Sequence, residues 1–214
     1  MSKSTMQMQE WSGNFGREYT DRNVMTLEEM ECLYKKRYGI GRTDMNAMFI
    51  GGLKKNISIL EVGSNIGNQL LCLQKAGFKN LYGIDIQSHA IKLSRSRIKS
   101  IDIVQGSALG LPFEDGIFDL VFTSGVLIHL APENIGEALY EIYRCTKKYI
   151  WCFEYYADTY TQIKYHRHDN LLWKTDFAKL FIQRFKDLQL VKEKRFSYLD
   201  NNNIDSMFML MKAK

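Results

Sequence analysis

The sequence is short of the features that would place it in an unusual class. Its four cysteines, Cys32, Cys72, Cys145 and Cys152, lack the close pairing of a metal site, and each lies in an apolar or helical stretch. Reduced, buried thiols in a cytoplasmic protein are expected. No run approaches the roughly 18 apolar residues of a membrane span, and the Met- and Gln-rich N-terminus has no apolar signal-peptide core. Internal repeats and low-complexity tracts are absent too. Nor is charge of one sign massed: the net charge is +5 and the Lys and Arg residues are scattered. A piece such as Lys35-Lys36-Arg37 reads as a solvated helix face rather than a nucleic-acid contact. What remains is 214 residues, 45% hydrophobic and 25% charged, an ordinary globular composition with enough chain for a substantial core.

The chain is organised around Ile57–Gly67. An apolar run, Ile57-Ser58-Ile59-Leu60, ends in Glu61 and turns through Gly63 and Gly67 into Asn68-Gln69-Leu70-Leu71-Cys72-Leu73, which has helical character. A buried parallel strand feeding a tight turn and a helix has this form. Such a turn is expected to aim backbone N–H groups at a ligand above the strand end, with glycines permitting close approach. Further strands follow at Leu81–Ile86, Ile101–Gln105, Phe118–Thr123 and Tyr149–Phe153. Helices alternate with them, one capped by Ser88 and one with Pro132 in its first turn. A polar, aromatic loop covers about 157–174, Thr175 caps a helix, and Leu190–Tyr198 and Ser206–Lys212 form an antiparallel hairpin. Before the core, residues 1–10 read as a loose tail and 11–23 as an ordered loop or lid. Amphipathic helices are expected over about 26–37 and 44–50.

Strands alternating with helices predict an α/β, doubly wound, Rossmann-like sheet, mostly parallel with an antiparallel end. One domain is expected: an N-terminal lid and helices over 1–50, a cofactor-binding core over 51–156, and a substrate loop, helix and hairpin over 157–214. Ligands of such sheets bind outside the carboxyl ends of the strands. Glu61, Asp85, Ser107, Thr123-Ser124 and Glu154 all fall at such ends.

A nicotinamide cofactor needs Gly-x-Gly-x-x-Gly, and counted from Gly63 the other two positions are Asn65 and Asn68. A Walker loop is absent as well. The residues instead resemble the class I S-adenosylmethionine methyltransferases, whose first motif is an acid followed by Gly-x-Gly-x-Gly. Here it reads Glu61-Val62-Gly63-Ser64-Asn65-Ile66-Gly67, with Asn65 a residue that tolerates the left-handed backbone. Asp85 matches the acid that takes both ribose hydroxyls in that class, and its two acceptor oxygens suit two adjacent donors. Leu111–Asp119 followed by Leu120–Leu130 resembles the class over its fourth strand.

The resemblance implies S-adenosylmethionine as cofactor, held by Glu61, Gly63, Ser64, Asn65, Gly67, Asp85, Ile86, Ser107, Ala108, Thr123, Ser124 and Gly125. Gly106-Ser107-Ala108 stands where many relatives put an Asp for the adenine amino group, so Ser107 or the backbone is expected to take that hydrogen bond. Tyr19 and Arg22 are expected to close over the methionine part. A narrower resemblance, to the pseudaminic acid biosynthesis-associated methylase family, rests on Trp11–Asn23, Glu61–Asn68, Gly125–Leu130, Tyr143–Cys145, Glu154–Tyr156 and His168–Phe177. It implies a methyltransferase linked to nonulosonic-acid pathways of bacterial surface glycans.

Methyl transfer from a sulfonium needs an acceptor about 3 Å from the methyl, in line with the sulfur. A hydroxyl acceptor gains about 10²–10⁴ in rate from a well-tuned base. His129, after the fourth strand, is the leading base; its other reading is a packed histidine opening the next helix. Glu154 is expected to orient the acceptor or act as base, or else to be an exposed strand terminus. Tyr155, Tyr156, His166, Arg167 and His168 are expected to face the substrate, with Arg167 gripping a sugar carboxylate. His166 and His168 lack a third ligand at convincing spacing, so no metal is expected. The expected acceptor is a hydroxyl or carboxyl of an acidic sugar, with no membrane partner. A nucleic-acid methyltransferase is the competitor, but Thr123-Ser124-Gly125-Val126 lacks the Asn/Asp-Pro-Pro-aromatic motif of amino methylation. A lyase or cyclase acting on the same cofactor would carry the same cofactor site.

Overall fold

Each apolar run that ends in an acid or hydroxyl becomes a parallel strand in the computed structural model, which describes residues 4–98, 100–166 and 168–213. Four helices come first: α1 (Met6–Ser12), α2 (Asn14–Arg22), α3 (Leu27–Tyr38) and α4 (Arg42–Ile50). Then β1 (Ser58–Val62), α5 (Asn68–Lys75), β2 (Asn80–Asp85), α6 (Ser88–Arg97), β3 (Asp102–Gln105) and β4 (Phe118–Ser124) alternate. A 3₁₀ turn at Leu127–His129 precedes α7 (Ile135–Cys145) and β5 (Thr146–Tyr155). After the short pair β6 (Thr161–Gln162) and β7 (Trp173–Lys174) come α8 (Phe177–Arg184), β8 (Leu188–Ser197) and β9 (Ile204–Lys212). The seven-stranded sheet runs β3-β2-β1-β4-β5-β9-β8, parallel from β3 to β5 and antiparallel beyond.

The alternation of side chains along a strand puts one apolar cluster on each face. Leu60, Val62, Val121 and Ile150 pack with α7 and α8, whereas Ile59, Leu120, Phe122 and Trp151 pack with α4, α5 and α6. The hairpin inserts its apolar strand: Met207–Leu210 of β9 are buried beside β5, and β8 becomes the edge. Lys192, Lys194 and Arg195 on that edge discourage pairing with another sheet. Among the described residues no helix is long and apolar enough to cross a membrane.

Local chemistry sets the boundaries. α3 opens on a capping box, Glu29 N–H donating to Thr26 Oγ1 (3.1 Å) and Thr26 N–H to Glu29 Oε2 (2.7 Å). Asp176, not Thr175, caps α8, and Gln87, not Ser88, caps α6. Pro132 sits in a turn ahead of α7 rather than in its first turn. The expected loose tail and ordered loop are α1 and α2, and Cys32 is exposed rather than buried.

Phe122 is the deepest test of this packing, fully buried with its ring 5.0 Å from that of Trp151. Phe122→Ala is expected to cost about 3–5 kcal/mol and to lower the thermal midpoint by about 10 °C, measured by circular dichroism. An unchanged midpoint would contradict the packing.

Candidate active site

The turn after β1 spends its own backbone donors. Gly63 and Ser64 N–H both donate to the Ile84 carbonyl (2.7 and 3.0 Å), Ile66 N–H to Asn65 Oδ1 (2.8 Å) and Gly67 N–H to the Ser64 carbonyl (2.8 Å). Asn65 N–H donates to Asp85 Oδ2 (2.7 Å). The expectation of N–H groups aimed at a ligand is therefore corrected: the turn is a rigid wall, not an anion nest. Gly63 is required in it, because its φ is +74° and a Cβ there would meet Val126 Cγ2 at 2.5 Å. Asn65 holds a φ of +47°, the left-handed conformation its side chain tolerates.

Above this wall lies a cavity of about 320 Å³. At one end it is lined by Glu61, Gly63, Ser64, Asn65, Asp85, Ile86, Ser107 and Ala108. Asp85 also accepts from Gln87 N–H at Oδ1 (2.8 Å), so each carboxylate oxygen has one donor and lone-pair capacity for another. Burial raises its pKa, opposed by the Gln87 and Asn65 N–H groups. Ser107 Oγ accepts from Leu109 N–H (3.1 Å) and keeps capacity for a second donor. Glu61, 3% exposed, is pushed well above the usual carboxylate range by burial, with Arg42 opposing. Its Oε2 and the buried Ser64 Oγ have no partner among the described residues. Both atoms are shielded from the cavity, so the hydrogen-bonding capacity open to a ligand lies on Asp85 and Ser107. A nucleoside whose ribose offers two donors, attached to an amino acid, fits that donor set.

The N-terminal helices close the cavity through polar contacts. Gln87 Nε2 donates to the carbonyls of Trp11 (3.0 Å) and Gly13 (2.9 Å), and Asn65 Nδ2 to Thr20 Oγ1 (3.3 Å). Asn68 Nδ2 donates to the Asn23 carbonyl (3.3 Å), and His89 Nε2–H to Asp21 Oδ1 (2.7 Å). Trp11 stands edge-on to Phe15 and Tyr19, and its ring lies 4.3 Å from that of His129. Trp11 and Tyr19 line the cavity.

Beyond the cradle, Ser124, Gly125, His129 and Tyr155 also line it. His129 Nδ1–H donates to the Leu171 carbonyl (2.7 Å), which fixes the neutral tautomer with a free lone pair on Nε2. Burial pushes this imidazole down to about 4. The end of the cavity away from the cradle is walled by Tyr34, Tyr38, Phe153, Tyr165 and Tyr198, with Arg37 and Asp205.

Several expected site residues sit elsewhere. Glu154, 1% exposed, does not line the cavity; its carboxylate accepts from the N–H groups of Val126 (3.0 Å) and Ile128 (3.4 Å) and caps the 3₁₀ turn. Burial pushes it up to about 7. Arg22 is exposed and paired with Glu18 at 3.8 Å. Thr123 is buried in β4 below the cavity floor, and Gly67 shapes the turn without lining the cavity. Tyr156 is outside, bonded to Asp158 (2.5 Å) under the Arg195 guanidinium. His166 and His168 face the ring of Phe15 rather than the cavity. Arg167 lies outside the described residues.

Sequence reasoning missed Gln87, Arg42 and the tyrosine end. Arg42 is fully buried on α4, donating to Asn46 Oδ1 (2.9 Å), Tyr34 Oη (3.0 Å) and Ser124 Oγ (3.3 Å). Arg42 opens α4, where a charge beside Asp44 reads as an ordinary first-turn residue, so no local signal marked it.

Residues 60–152 match the methyltransferase-domain family. The chain is 29% identical over 103 residues to an uncharacterized protein of Haemophilus influenzae, spanning 45% of this chain and 41% of that protein. It is 25% identical over 204 residues to demethylmenaquinone methyltransferase of Staphylococcus aureus, spanning 91% of this chain and 80% of that one. The first match thus covers less than half of the relative's length. The fold is similar to that of Burkholderia thailandensis 1,6-didemethyltoxoflavin-N1-methyltransferase, solved with 1,6-didemethyltoxoflavin and S-adenosylhomocysteine bound. The TM-score is 0.73 at 14% identity, covering 100% of this chain and 92% of that one. Domain match and fold agree: residues 60–152 carry a methyltransferase domain on a Rossmann-like fold, and S-adenosylmethionine is the cofactor that domain implies.

Proposed function

We propose that the protein methylates a small acidic molecule, at a hydroxyl or carboxyl oxygen of a nonulosonic-acid-type sugar or its precursor. The observation that carries this reading is the cavity itself: roofed by α1 and α2, it ends in tyrosines and Arg37, a size and polarity suited to one small polar ring. Arg37 lines this end and suits an anion; Arg167, expected to grip the sugar carboxylate, lies outside the described residues. The narrower family resemblance supports the sugar class.

When bound, S-adenosylmethionine supplies a methyl activated by its positive sulfur. The chain's own residues do the positioning. Asp85 would hold the ribose hydroxyls, Ser107 the adenine edge, and Glu61 the polar end of the methionine. Tyr19 and Trp11 exclude water from above. His129 presents Nε2 as an acceptor for a hydroxyl proton, with Nδ1–H anchored on Leu171. A neutral imidazole pushed down to about 4 holds a full proton poorly near neutral pH, so its contribution is to orient the hydroxyl and take part of the proton in the transition state. Glu154 acts through His129, by holding the turn that carries it.

Incubation with methyl-labelled cofactor is expected to yield S-adenosylhomocysteine only when an acidic sugar such as N-acetylneuraminic acid is added. Methylthioadenosine without an acceptor would instead establish lyase or cyclase chemistry. Asp85→Ala is expected to weaken S-adenosylhomocysteine binding about 10–100-fold by calorimetry, and wild-type affinity would remove the ribose assignment. His129→Ala is expected to lower turnover by about 10² with cofactor affinity little changed; full turnover would sink its role.

A further inference from the structure

Arg42 is a buried cation whose donors go to other side chains' hydroxyls. It opens α4 with no exposed surface, and it donates from Nε to Asn46 Oδ1 (2.9 Å), from Nη1 to Tyr34 Oη (3.0 Å) and from Nη2 to Ser124 Oγ (3.3 Å). Asn46 is held in turn, its Nδ2 donating to Gln69 Oε1 (3.3 Å). The guanidinium otherwise lies against aromatic rings, 4.6 Å from the centre of Phe153 and 5.2 Å from that of Tyr34. Glu61 feels this charge, but all three hydrogen-bond acceptors of Arg42 among the described residues are neutral. A buried cation bonded only to neutral groups favours an anion close by.

The direction of the bonds decides what the two hydroxyls can do. A guanidinium has donors and no acceptor, so Tyr34 and Ser124 both accept from it and each keeps its own O–H proton. Neither proton has an acceptor among the described residues. Both residues are half-buried and line the cavity, which is where the protons can find one. Accepting from a cation strengthens a hydroxyl as a donor. Two such donors, fixed on one planar guanidinium, match the two oxygens of a carboxylate, and the charge behind them selects an anion over a neutral carbonyl.

We propose that Tyr34 and Ser124 form a carboxylate-binding pair, with Arg42 the positioning residue that orients both hydroxyls and supplies the charge behind them. The cavity that the pair lines holds the nucleoside cradle at one end and the tyrosines at the other. The carboxylate is therefore that of the cofactor's amino acid or that of the acceptor, and only the second source rests on the acidic-acceptor reading above.

The test is calorimetry with three ligands: S-adenosylhomocysteine, 5′-methylthioadenosine (the same nucleoside thioether without a carboxylate), and N-acetylneuraminic acid added to S-adenosylhomocysteine-loaded protein. Tyr34→Phe keeps the ring and removes the hydroxyl. It is expected to weaken one carboxylate ligand about 10–100-fold while 5′-methylthioadenosine affinity holds. A loss on S-adenosylhomocysteine identifies the cofactor's carboxylate, and a loss confined to N-acetylneuraminic acid identifies the acceptor's. Ser124→Ala is expected to weaken the same ligand. Arg42→Gln is expected to lower selectivity for that ligand over 5′-methylthioadenosine, a ratio that a purely structural role would not move. Equal losses on S-adenosylhomocysteine and 5′-methylthioadenosine reduce the three residues to packing and overturn the proposal. Unchanged S-adenosylhomocysteine affinity together with unchanged or absent sugar binding overturns it as well. Wild-type protein that binds S-adenosylhomocysteine but not the sugar overturns the acidic acceptor alone, and the cofactor arm then decides the pair.

Discussion

The carboxylate of Asp85 is the tie on which the rest of the site depends. One oxygen holds Asn65 N–H in the turn after β1, and the other holds Gln87 N–H at the start of α6. Gln87 then reaches the carbonyls of Trp11 and Gly13 with one side-chain amide, so the same acid indirectly fixes the roof. Strand end, glycine turn, helix start and lid meet at a group with lone pairs to spare. A ribose with two adjacent hydroxyls adds donors to a carboxylate already held in place, and it need not order the site first.

Unfinished hydrogen bonding marks the whole length of the cavity. Glu61 Oε2 and Ser64 Oγ lack partners at one end and Asp205 Oδ1 at the other. Between them Arg42 is wholly buried and bonds only neutral side chains. Orphaned buried acceptors are costly, and the Arg42 charge offsets part of that cost at Glu61. Closure by α1 and α2 raises the effect, since every polar contact inside is stronger once water is excluded. His129 belongs to the same design: the Leu171 carbonyl fixes its tautomer while burial keeps it neutral.

The parts legible in the sequence were those whose signal is local. β1 to β5 announce themselves as apolar runs, and Glu61, Gly63 and Asp85, expected at a strand end or in the turn, do line the cavity. The lid was legible as a lid but not as helices. α1 and α2 have 7 and 9 residues, and Gly13 and Gly16 fall among the aromatics Trp11, Phe15 and Tyr19. They fold as helices because tertiary contacts hold them, and Gly16 is there because a Cβ would lie 1.9 Å from the Trp11 carbonyl oxygen. Glu154 misled because a strand-end acid points as readily back to a neighbouring turn as toward a ligand. Asp205 was invisible: its partner Tyr38 is 167 residues away, and no local pattern joins them. The placement of β9 between β5 and β8 creates that meeting.

A crystal structure with S-adenosylhomocysteine tests the central claim most directly. The account predicts ribose hydroxyls on the Asp85 carboxylate, the amino-acid end against Glu61, and the sulfur turned toward His129 and the tyrosine-lined end. A nucleoside lying away from Asp85, or a sulfur facing a wall with no space for an acceptor, would contradict it.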